Sequence, residues 1–490
     1  MPRSFIVLAL ASASLSACAT HQVSETAAPA PTPVAAAPVA PPAPKPTIGD
    51  YGFDTTGMDR AVPPGDNFYD YANGTWAKAT PIPADKSNYG MFTLLDDLSK
   101  QRTQDILNEA KSDPNSKIGN ACVAYLDAAT VEAKGLAPIK PWLDSIKAVK
   151  TRADYVALLA QAARNGVSRP FTGFVGQDDK APDNYIYTIG QGGLGMPDRD
   201  YYLLKTEKMA STRKAYVAHL AKMFALAGEP DGEKRAAAIL AFETEIAKVH
   251  WTRIDSRDAE KTYNKMTVAQ LAKLARGFDF PTALKALGAT GDTVLVAQPT
   301  AIKGEAALIA RTPLAVLKDQ LLVRSLDQFS DYLPDAFANE NFAFFGTTLN
   351  GTPEREERWK RAVTFVKDSL GEEVGKVYVA KYFPPETKAA ADQLVKNVLA
   401  AMGRRIDALP WMSDEAKARA HKKLAAFTPK IGYPDKWRDY AGLAIARDDL
   451  FGNALRSNQF DYDYQMGKLG KPIYRWEWFM TPMEINAYAN

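Results

Sequence analysis

The chain has 490 residues, with 60 lysines and arginines, 57 aspartates and glutamates and four histidines, which gives a formal net charge of +3. Hydrophobic residues make up 46% of the chain and charged residues 24%, as in ordinary globular proteins, and this near-neutral balance argues against a nucleic-acid-binding surface. With cysteine only at Cys18 and Cys122, a disulfide scaffold is excluded, and no apolar run reaches the roughly 18 residues that a membrane span needs.

The first residues have the pattern of a secretory signal, in which Arg3 precedes an apolar stretch that begins at Phe5. The stretch ends in Leu15-Ser16-Ala17-Cys18, which resembles a bacterial lipobox. This resemblance implies a signal peptide over residues 1–17 and a lipid on Cys18, with an ordinary signal peptide as the alternative. Because Ala19 is not the aspartate expected for inner-membrane retention, we expect a bacterial cell-envelope protein that is lipid-anchored in the outer membrane and faces the periplasm.

A linker follows the lipidation site. Residues 26–47 contain eight prolines and eight alanines among 22 residues, a composition that cannot bury enough apolar surface to fold. Proline-rich segments are extended. We therefore predict a tether over residues 18–48 and a folded body from about residue 49.

Apolar residues at helical spacing predict a mainly helical body. A helix over residues 154–165 is followed by the stop signal Asn165-Gly166, and residues 213–227, 233–249 and 355–370 also have helical patterns. One apolar stripe runs through residues 389–409, and Ser413 is placed to cap a further helix that ends near residue 427. Strand patterns are few, at residues 184–189, 293–296 and 485–488.

The four histidines argue against a zinc helix in this chain. They are His21, His219, His250 and His421; no two of them are four residues apart, and none is followed by glutamate. We predict that His219 and His421 are structural or solvated. His250 is predicted to make a buried tertiary contact rather than to bind a metal.

Residues 190–195 spell G-x-G-x-x-G after a predicted strand. A dinucleotide site needs a helix that starts at the second glycine and receives the pyrophosphate at its N-terminus. Pro197 would lie inside that helix and break it. The segment is therefore interpreted as a glycine-rich turn.

Sequence strings that bear on the family occupy, in order along residues 53–490, residues 64–76, 82–90, 193–202, 251–253, 261–266, 427–437 and 480–490. Together they resemble the neprilysin-like zinc metallopeptidases of the M13 family. The string at 193–202 overlaps the G-x-G-x-x-G segment, which is therefore interpreted as part of this family's pattern rather than as a dinucleotide site.

The resemblance implies a mainly α, two-lobed neprilysin-like architecture. A large helical N-terminal lobe would span residues 82–390. Residues 391–490 would begin an α+β thermolysin-like catalytic lobe that is incomplete in this chain, and residues 49–81 would pack on that lobe. An incomplete lobe leaves apolar faces bare, so poor solubility of the isolated body is expected.

Asn486 and Ala487 match the Asn-Ala pair of the family's Asn-Ala-x-x-Asn motif. The resemblance implies that they lie on an edge strand and hold a substrate peptide as an added strand. Relatives have arginines that help to bind substrate termini, and the equivalent positions here are Asn88 and Asp96. A carboxylate clamp is therefore doubtful at this place.

The family's His-Glu-x-x-His motif and its later glutamate ligand follow the Asn-Ala motif, and residues 1–490 do not contain them. Zinc is implied for the complete family enzyme, a metalloendopeptidase that hydrolyses peptide bonds with a zinc-activated water. No metal ligand and no catalytic residue is expected in this chain, which is predicted to be truncated and inactive alone.

Three interpretations remain open. The chain is the front part of a zinc metallopeptidase, or one half of a split peptidase completed by a separate catalytic chain, or a non-catalytic envelope lipoprotein that binds peptides. The expected partners are peptide substrates, the membrane through Cys18 and the complementing chain, with no nucleic acid.

Overall fold

The computed structural model of the protein describes residues 55–488. The predicted signal peptide, the lipidation site Cys18 and the tether over residues 18–48 lie outside the described residues. The chain divides into two compact units between Ile82 and Pro83.

The first unit contains one helix within its described residues, α1 (Phe68–Ala79). Asn67 caps this helix by accepting a hydrogen bond from the amide of Asp70 at 3.1 Å. The loop before the helix returns to it, since the Thr75 hydroxyl donates to the carbonyl oxygen of Met58 at 2.8 Å. The string at residues 64–76 therefore builds a capped helix with its own loop.

The second unit is mainly helical within its described residues, which confirms the predicted fold class. The longest helices are those that position the site and the core, namely α2 (Met91–Ala110), α8 (Glu207–Leu226), α9 (Gly232–Val249), α14 (Leu314–Phe329), α16 (Arg358–Tyr382), α17 (Pro385–Ala408) and α19 (Leu450–Met466). The others are α3 (Lys117–Leu126), α4 (Ala128–Lys134), α5 (Lys140–Ala148), α6 (Arg152–Arg164), α7 (Asp200–Leu203), α10 (Ala259–Thr262), α11 (Val268–Leu274), α12 (Phe280–Leu287), α13 (Pro299–Arg311), α15 (Asp335–Asn341) and α18 (Asp414–Ala425). A π-helix follows α15 at Phe342–Leu349.

The six predicted helices correspond to α6, α8, α9, α16, α17 and α18. A capping box between Thr151 and Asp154 starts α6 two residues before the predicted position. Ser413 caps α18 as predicted, by accepting a hydrogen bond from the amide of Ala416. The helix α17 runs across the predicted lobe boundary between residues 390 and 391, and that boundary stays a prediction.

One four-stranded sheet is present in the described residues, with the order β1-β2-β4-β3. Its strands are β1 (Phe171–Asp178), β2 (Ala181–Gln191), β3 (Lys265–Thr267) and β4 (Thr293–Val296). The first two form an antiparallel hairpin, β2 and β4 pair in parallel, and β3 pairs antiparallel with β4.

Two of the three predicted strands are confirmed, and the third is wrong. Residues 184–189 lie within β2, and residues 293–296 are β4. Residues 485–488 belong to no strand, because no neighbouring segment of the described chain supplies the backbone hydrogen bonds that define a ladder.

Two hydrophobic clusters form the interior of the second unit. The larger contains the fully buried Tyr155, Tyr216 and Phe329. The smaller joins α2, α3 and α16 and includes Cys122, whose burial raises the pKa of its thiol. Between residues 55 and 488, none of the helices combines the length and the apolar character that crossing a bilayer requires.

Candidate peptide-binding cavity

The segment that contains Asn486 and Ala487 is held against two helices. The Ser99 hydroxyl of α2 donates to the carbonyl oxygen of Met483 at 2.6 Å, in a buried position. Gly371 on α16 makes room for the neighbouring Thr481, since a Cβ atom at this glycine would lie 2.7 Å from the Thr481 Cγ2 atom. The segment that follows Met483 therefore lies near the start of α2.

A cavity of about 430 Å³ opens at this place. It lies between the first turns of α2, the segment before them, the loop before α16 and the C-terminal segment. Its walls are formed by Asp85, Lys86, Ser87, Asn88, Phe92, Thr93, Asp96, Thr352 and Ile485. The volume falls in the range of about 300–1,000 Å³ that is typical of ligand pockets.

Residues that were linked to substrate binding only by the family resemblance lie close together in the structure. Asn88 and Asp96, which the resemblance matches to arginines of the family, line the same cavity as Ile485. Asn486 and Ala487 are exposed just beyond Ile485, and the amide of Ala487 donates to the side-chain oxygen of Asn486 at 2.9 Å. Their role in substrate binding stays a prediction.

A network of ion pairs supports the cavity wall. Glu356 accepts from Lys100 at 2.7 Å and from Lys86 at 3.1 Å, and Lys86 also lies 3.2 Å from Asp97. Burial acts to raise the pKa of Glu356, but the two lysines outweigh it and hold that pKa below its ordinary value. Glu356 is therefore ionised at neutral pH and ties the loop before α16 to α2.

A second ion pair ties the opposite end of the wall. The Lys360 ammonium donates to Asp85 at 2.5 Å and lowers the pKa of that carboxyl. The backbone adds a third link, because the amide of Glu354 donates to the carbonyl oxygen of Ala84 at 2.9 Å. The segment at 84–88 is thus fixed to the loop and helix near residues 354–360.

Because relatives of neprilysin type use zinc, we tested whether the described residues could hold it. Between residues 55 and 488 there is no group of three histidine, cysteine, aspartate or glutamate side chains that could hold a metal ion. His219 has two carboxylates nearby, but Asp327 contacts its Nε2 atom at 3.0 Å and Glu340 contacts its Nδ1 atom at 3.2 Å. These oxygens lie on opposite sides of the ring, so the surroundings of His219 do not fit a zinc site.

The other two described histidines are also in the environments predicted from the sequence. His250 is buried, with its Nε2 atom 3.0 Å from the carbonyl oxygen of Gly192 and 2.7 Å from Glu305 Oε1. Burial lowers the pKa of His250 to about 4, so the ring is neutral. His421 is at the surface, 2.7 Å from Asp407.

The predicted glycine-rich turn is in part the end of β2, which includes residues 190 and 191, and the irregular chain that follows passes through Gly193 at a positive φ of 79°. The contacts of this segment are internal. The strand β2 ends at Gln191 and no helix starts at the second glycine. The Gln191 side chain pairs with the backbone of Trp251, so the family strings near residues 193 and 251 meet each other. Gly195 lies against a buried polar cluster, where a Cβ atom would be 1.8 Å from Arg324 Nη2.

That buried cluster was not found by sequence reasoning. Glu243 is fully buried and pairs with Arg324, while the hydroxyls of Tyr202 and Tyr216 donate to it at 2.6 and 2.9 Å. Arg324 continues to Asp327 at 3.6 Å, which in turn contacts His219. Glu243 and Arg324 lie on the otherwise apolar faces of α9 and α14. A charged residue on an apolar helix face is the sequence signal that could have identified this cluster.

Comparison with known proteins gives consistent similarities. The sequence profile of peptidase family M13 matches residues 64–434, which is more than two thirds of the chain. An endothelin-converting enzyme homolog of Locusta migratoria is 28% identical over 467 residues, covering 88% of this chain and 64% of its own length. Endothelin-converting enzyme 1 of Mus musculus is 27% identical, covering 88% of this chain and 59% of its own. The chain thus spans about three fifths of these relatives.

A solved structure extends the similarity to the fold. The crystal structure of the Mycobacterium tuberculosis zinc metalloprotease Zmp1 in complex with an inhibitor matches with a TM-score of 0.84 and 35% sequence identity. The match covers 89% of this chain and 68% of the other.

Proposed function

Since the chain belongs to peptidase family M13, we propose that it forms the peptide-binding part of a metalloendopeptidase, whose reaction is the hydrolysis of peptide bonds. The observation that carries this proposal is the cavity of about 430 Å³ beside Ile485, directly before the Asn486-Ala487 pair. Family membership alone would not indicate where on this chain a peptide binds.

In this proposal the peptide binds as an extended strand alongside residues 485–488. Support comes from the exposure of Asn486 and Ala487 and from their lack of ladder partners in the described chain. An added strand gains main-chain hydrogen bonds, each with a net value of about 1 kcal/mol, while the cavity receives a side chain. The buried hydrogen bond from Ser99 to Met483 would keep the segment in place.

Hydrolysis is proposed to need residues that the chain 1–490 does not contain. Its four histidines lack the spacing of a zinc helix, and residues 55–488 do not fit the metal. The proposal therefore separates two activities: the chain binds peptides by itself and does not cleave them by itself.

The test measures both activities on the purified chain. Fluorescence anisotropy of a labelled peptide is expected to show saturable binding that weakens in Asn486→Ala and is unchanged in the control Asn115→Ala, which alters an exposed asparagine elsewhere. Mass spectrometry of the same peptide with added zinc is expected to show no products. Chelator-sensitive cleavage by the pure chain would contradict the inactivity, and absence of saturable binding would contradict peptide binding.

A second candidate is a split peptidase, and one surface favours it. Leu394, Val398 and Met402 form a stripe along α17 and are 64%, 58% and 52% exposed. Such a stripe of apolar side chains at helical spacing is typical of a helix that packs against another element. A complementing catalytic chain would cover it.

Native extracts distinguish this candidate from the others. A complex larger than the 53.5 kDa chain that contains zinc, and that dissociates in Val398→Asp, would support a complementing chain. A zinc-free species at the mass of the chain alone that still binds peptides would favour the third candidate, a non-catalytic envelope lipoprotein.

The location remains part of the proposal. We propose a lipid on Cys18 that anchors the chain in the outer membrane, facing the periplasm, on the basis of the lipobox-like string alone. Cys18→Ala is expected to abolish the incorporation of labelled fatty acid and to release the chain from the membrane fraction. Retention of the label in this variant would refute the assignment.

A further inference from the structure

We propose that the cavity selects a basic side chain, arginine or lysine, of the bound peptide, and that Asp96 and Phe92 are the residues that recognise it. This inference rests on the proposed peptide binding and adds a substrate class to it. It starts from the wall of the cavity formed by α2.

Phe92 and Asp96 are four residues apart on α2, so their side chains lie one above the other on the same helix face. Both line the cavity. The Phe92 side chain is 73% exposed, which is unusual for an aromatic residue of this size, and the Asp96 side chain is 39% exposed. An aromatic face and a carboxylate are thus presented together to whatever enters the cavity.

Two lysines near the cavity, Lys86 and Lys100, make their closest ion pairs with carboxylates other than Asp96. Lys100 lies 3.4 Å from Asp96 but 2.7 Å from Glu356, and its side chain is largely buried. Lys86 is shared between Glu356 and Asp97. Of the two carboxylates that line the cavity, Asp96 is therefore less neutralised than Asp85, which lies 2.5 Å from Lys360.

The charge of the wall has the sign that attracts a cation. Three lysines, at positions 86, 100 and 360, are joined in ion pairs to four carboxylates, at positions 85, 96, 97 and 356. This network retains one net negative charge. The other polar side chains of the lining are neutral, namely Ser87, Asn88, Thr93 and Thr352.

A guanidinium or ammonium group fits these two residues chemically. Cations are attracted to the face of an aromatic ring, and a carboxylate accepts their hydrogen bonds. A peptide carboxylate in the same position would meet Asp96 and be repelled. The wall therefore favours a basic side chain over a free C-terminus.

The test compares two short labelled peptides that differ in one central residue, arginine or its uncharged isostere citrulline. The arginine peptide is expected to bind the purified chain about fivefold more tightly, which is the size of an exposed ion pair combined with a cation–π contact. Asp96→Asn is expected to remove this preference, because the arginine peptide loses its carboxylate partner. Phe92→Leu is expected to reduce the preference about twofold.

A matched control separates a local effect from a general change of charge. Asp144 is also exposed and pairs with a lysine four residues away, Lys140, on α5. Asp144→Asn is expected to keep the full preference for arginine. Increasing the salt from about 0.1 M to about 1 M shortens the screening length from about 10 Å to about 3 Å and should lower the preference in the wild type and in Asp144→Asn alike.

The possible results separate the two proposals. Equal binding of both peptides by the wild type would overturn the basic selectivity and leave the proposed peptide binding intact. Binding of neither peptide would overturn both. A preference that persists in Asp96→Asn, in a variant with an unchanged unfolding midpoint, would overturn the role of Asp96.

Discussion

The ion pairs around Glu243 and those around Asp96 belong to the same unit but differ in how fully their charges are satisfied. Glu243 is 0% exposed and receives hydrogen bonds from Arg324, Gln320, two tyrosines and a backbone amide. Asp96 is partly exposed, and its lysine is closer to another carboxylate. A buried charge with every oxygen occupied stabilises the fold, whereas a partly neutralised charge at a cavity is able to bind a ligand.

Breaking the buried pair should produce the largest effect. Arg324→Met leaves Glu243 buried without its cation, and we expect the free energy of unfolding to fall by about 3–5 kcal/mol. Urea titration measures this loss. The control is Arg475→Met, which removes an exposed pair with Asp183 and should cost less than about 1 kcal/mol. Similar losses in both variants would remove the distinction between the two networks.

The pH dependence of stability tests the end of the same buried network at His219. Burial lowers the pKa of this imidazole, but Asp327 and Glu340 outweigh it and raise the pKa to about 9. A pKa above the unfolded value of 6.5 means that the stabilisation is complete below about pH 6.5 and is lost as the pH rises through 9. The loss should reach roughly 3 kcal/mol, because each tenfold change in proton affinity between the folded and unfolded states corresponds to about 1.4 kcal/mol.

Unfolding measurements across this pH range, on the wild type and on His219→Gln, provide the test. The wild type should lose stability between pH 6.5 and about 9, and the variant should show a flatter profile over the same range. Parallel profiles would mean that His219 is neutral in the folded protein and that the ionic network ends at Asp327.

Removing the hydrogen bond from Ser99 to Met483 should have a smaller effect on stability, and its effect on peptide affinity should distinguish the cavity from the buried network. Ser99→Ala leaves the carbonyl oxygen of Met483 without its donor, so stability should fall by about 1–3 kcal/mol. Because this bond anchors the segment before Ile485, peptide affinity should also fall in Ser99→Ala. Arg324→Met, measured under conditions in which it is folded, should keep the peptide affinity of the wild type. The control is Ser112→Ala, an exposed hydroxyl that bonds within its own turn. Unchanged affinity in Ser99→Ala would show that the anchor is unimportant for binding.

The helices were predictable from the sequence where local signals agree. The helix α6 has a capping box at Thr151, an apolar face and a glycine-containing end, and all three signals depend on residues within one short segment. The strand β3 was missed because three residues carry too little alternation. Residues 485–488 have a strand pattern, but a strand also needs a neighbour.

The candidate site was predictable only in part. Asn88 was identified by its position in a family string and Asp96 by its spacing of one or two helix turns after that string, and both are local features of the sequence. Phe92 was missed, because an aromatic residue near a helix start is usually buried and its exposure depends on what packs around it.

The sequence by itself determined the helical periodicity, the exclusion of a helix across the glycine-rich segment by Pro197 and the absence of two histidines at zinc-helix spacing, because each of these depends on residues close together in the chain. Only the tertiary structure decided which charges are satisfied. Lys100 and Glu356 are 256 positions apart in the chain, and Asp85 and Lys360 are 275 positions apart. The strength of an ion pair depends on distance and burial, and both are set only when distant segments pack together.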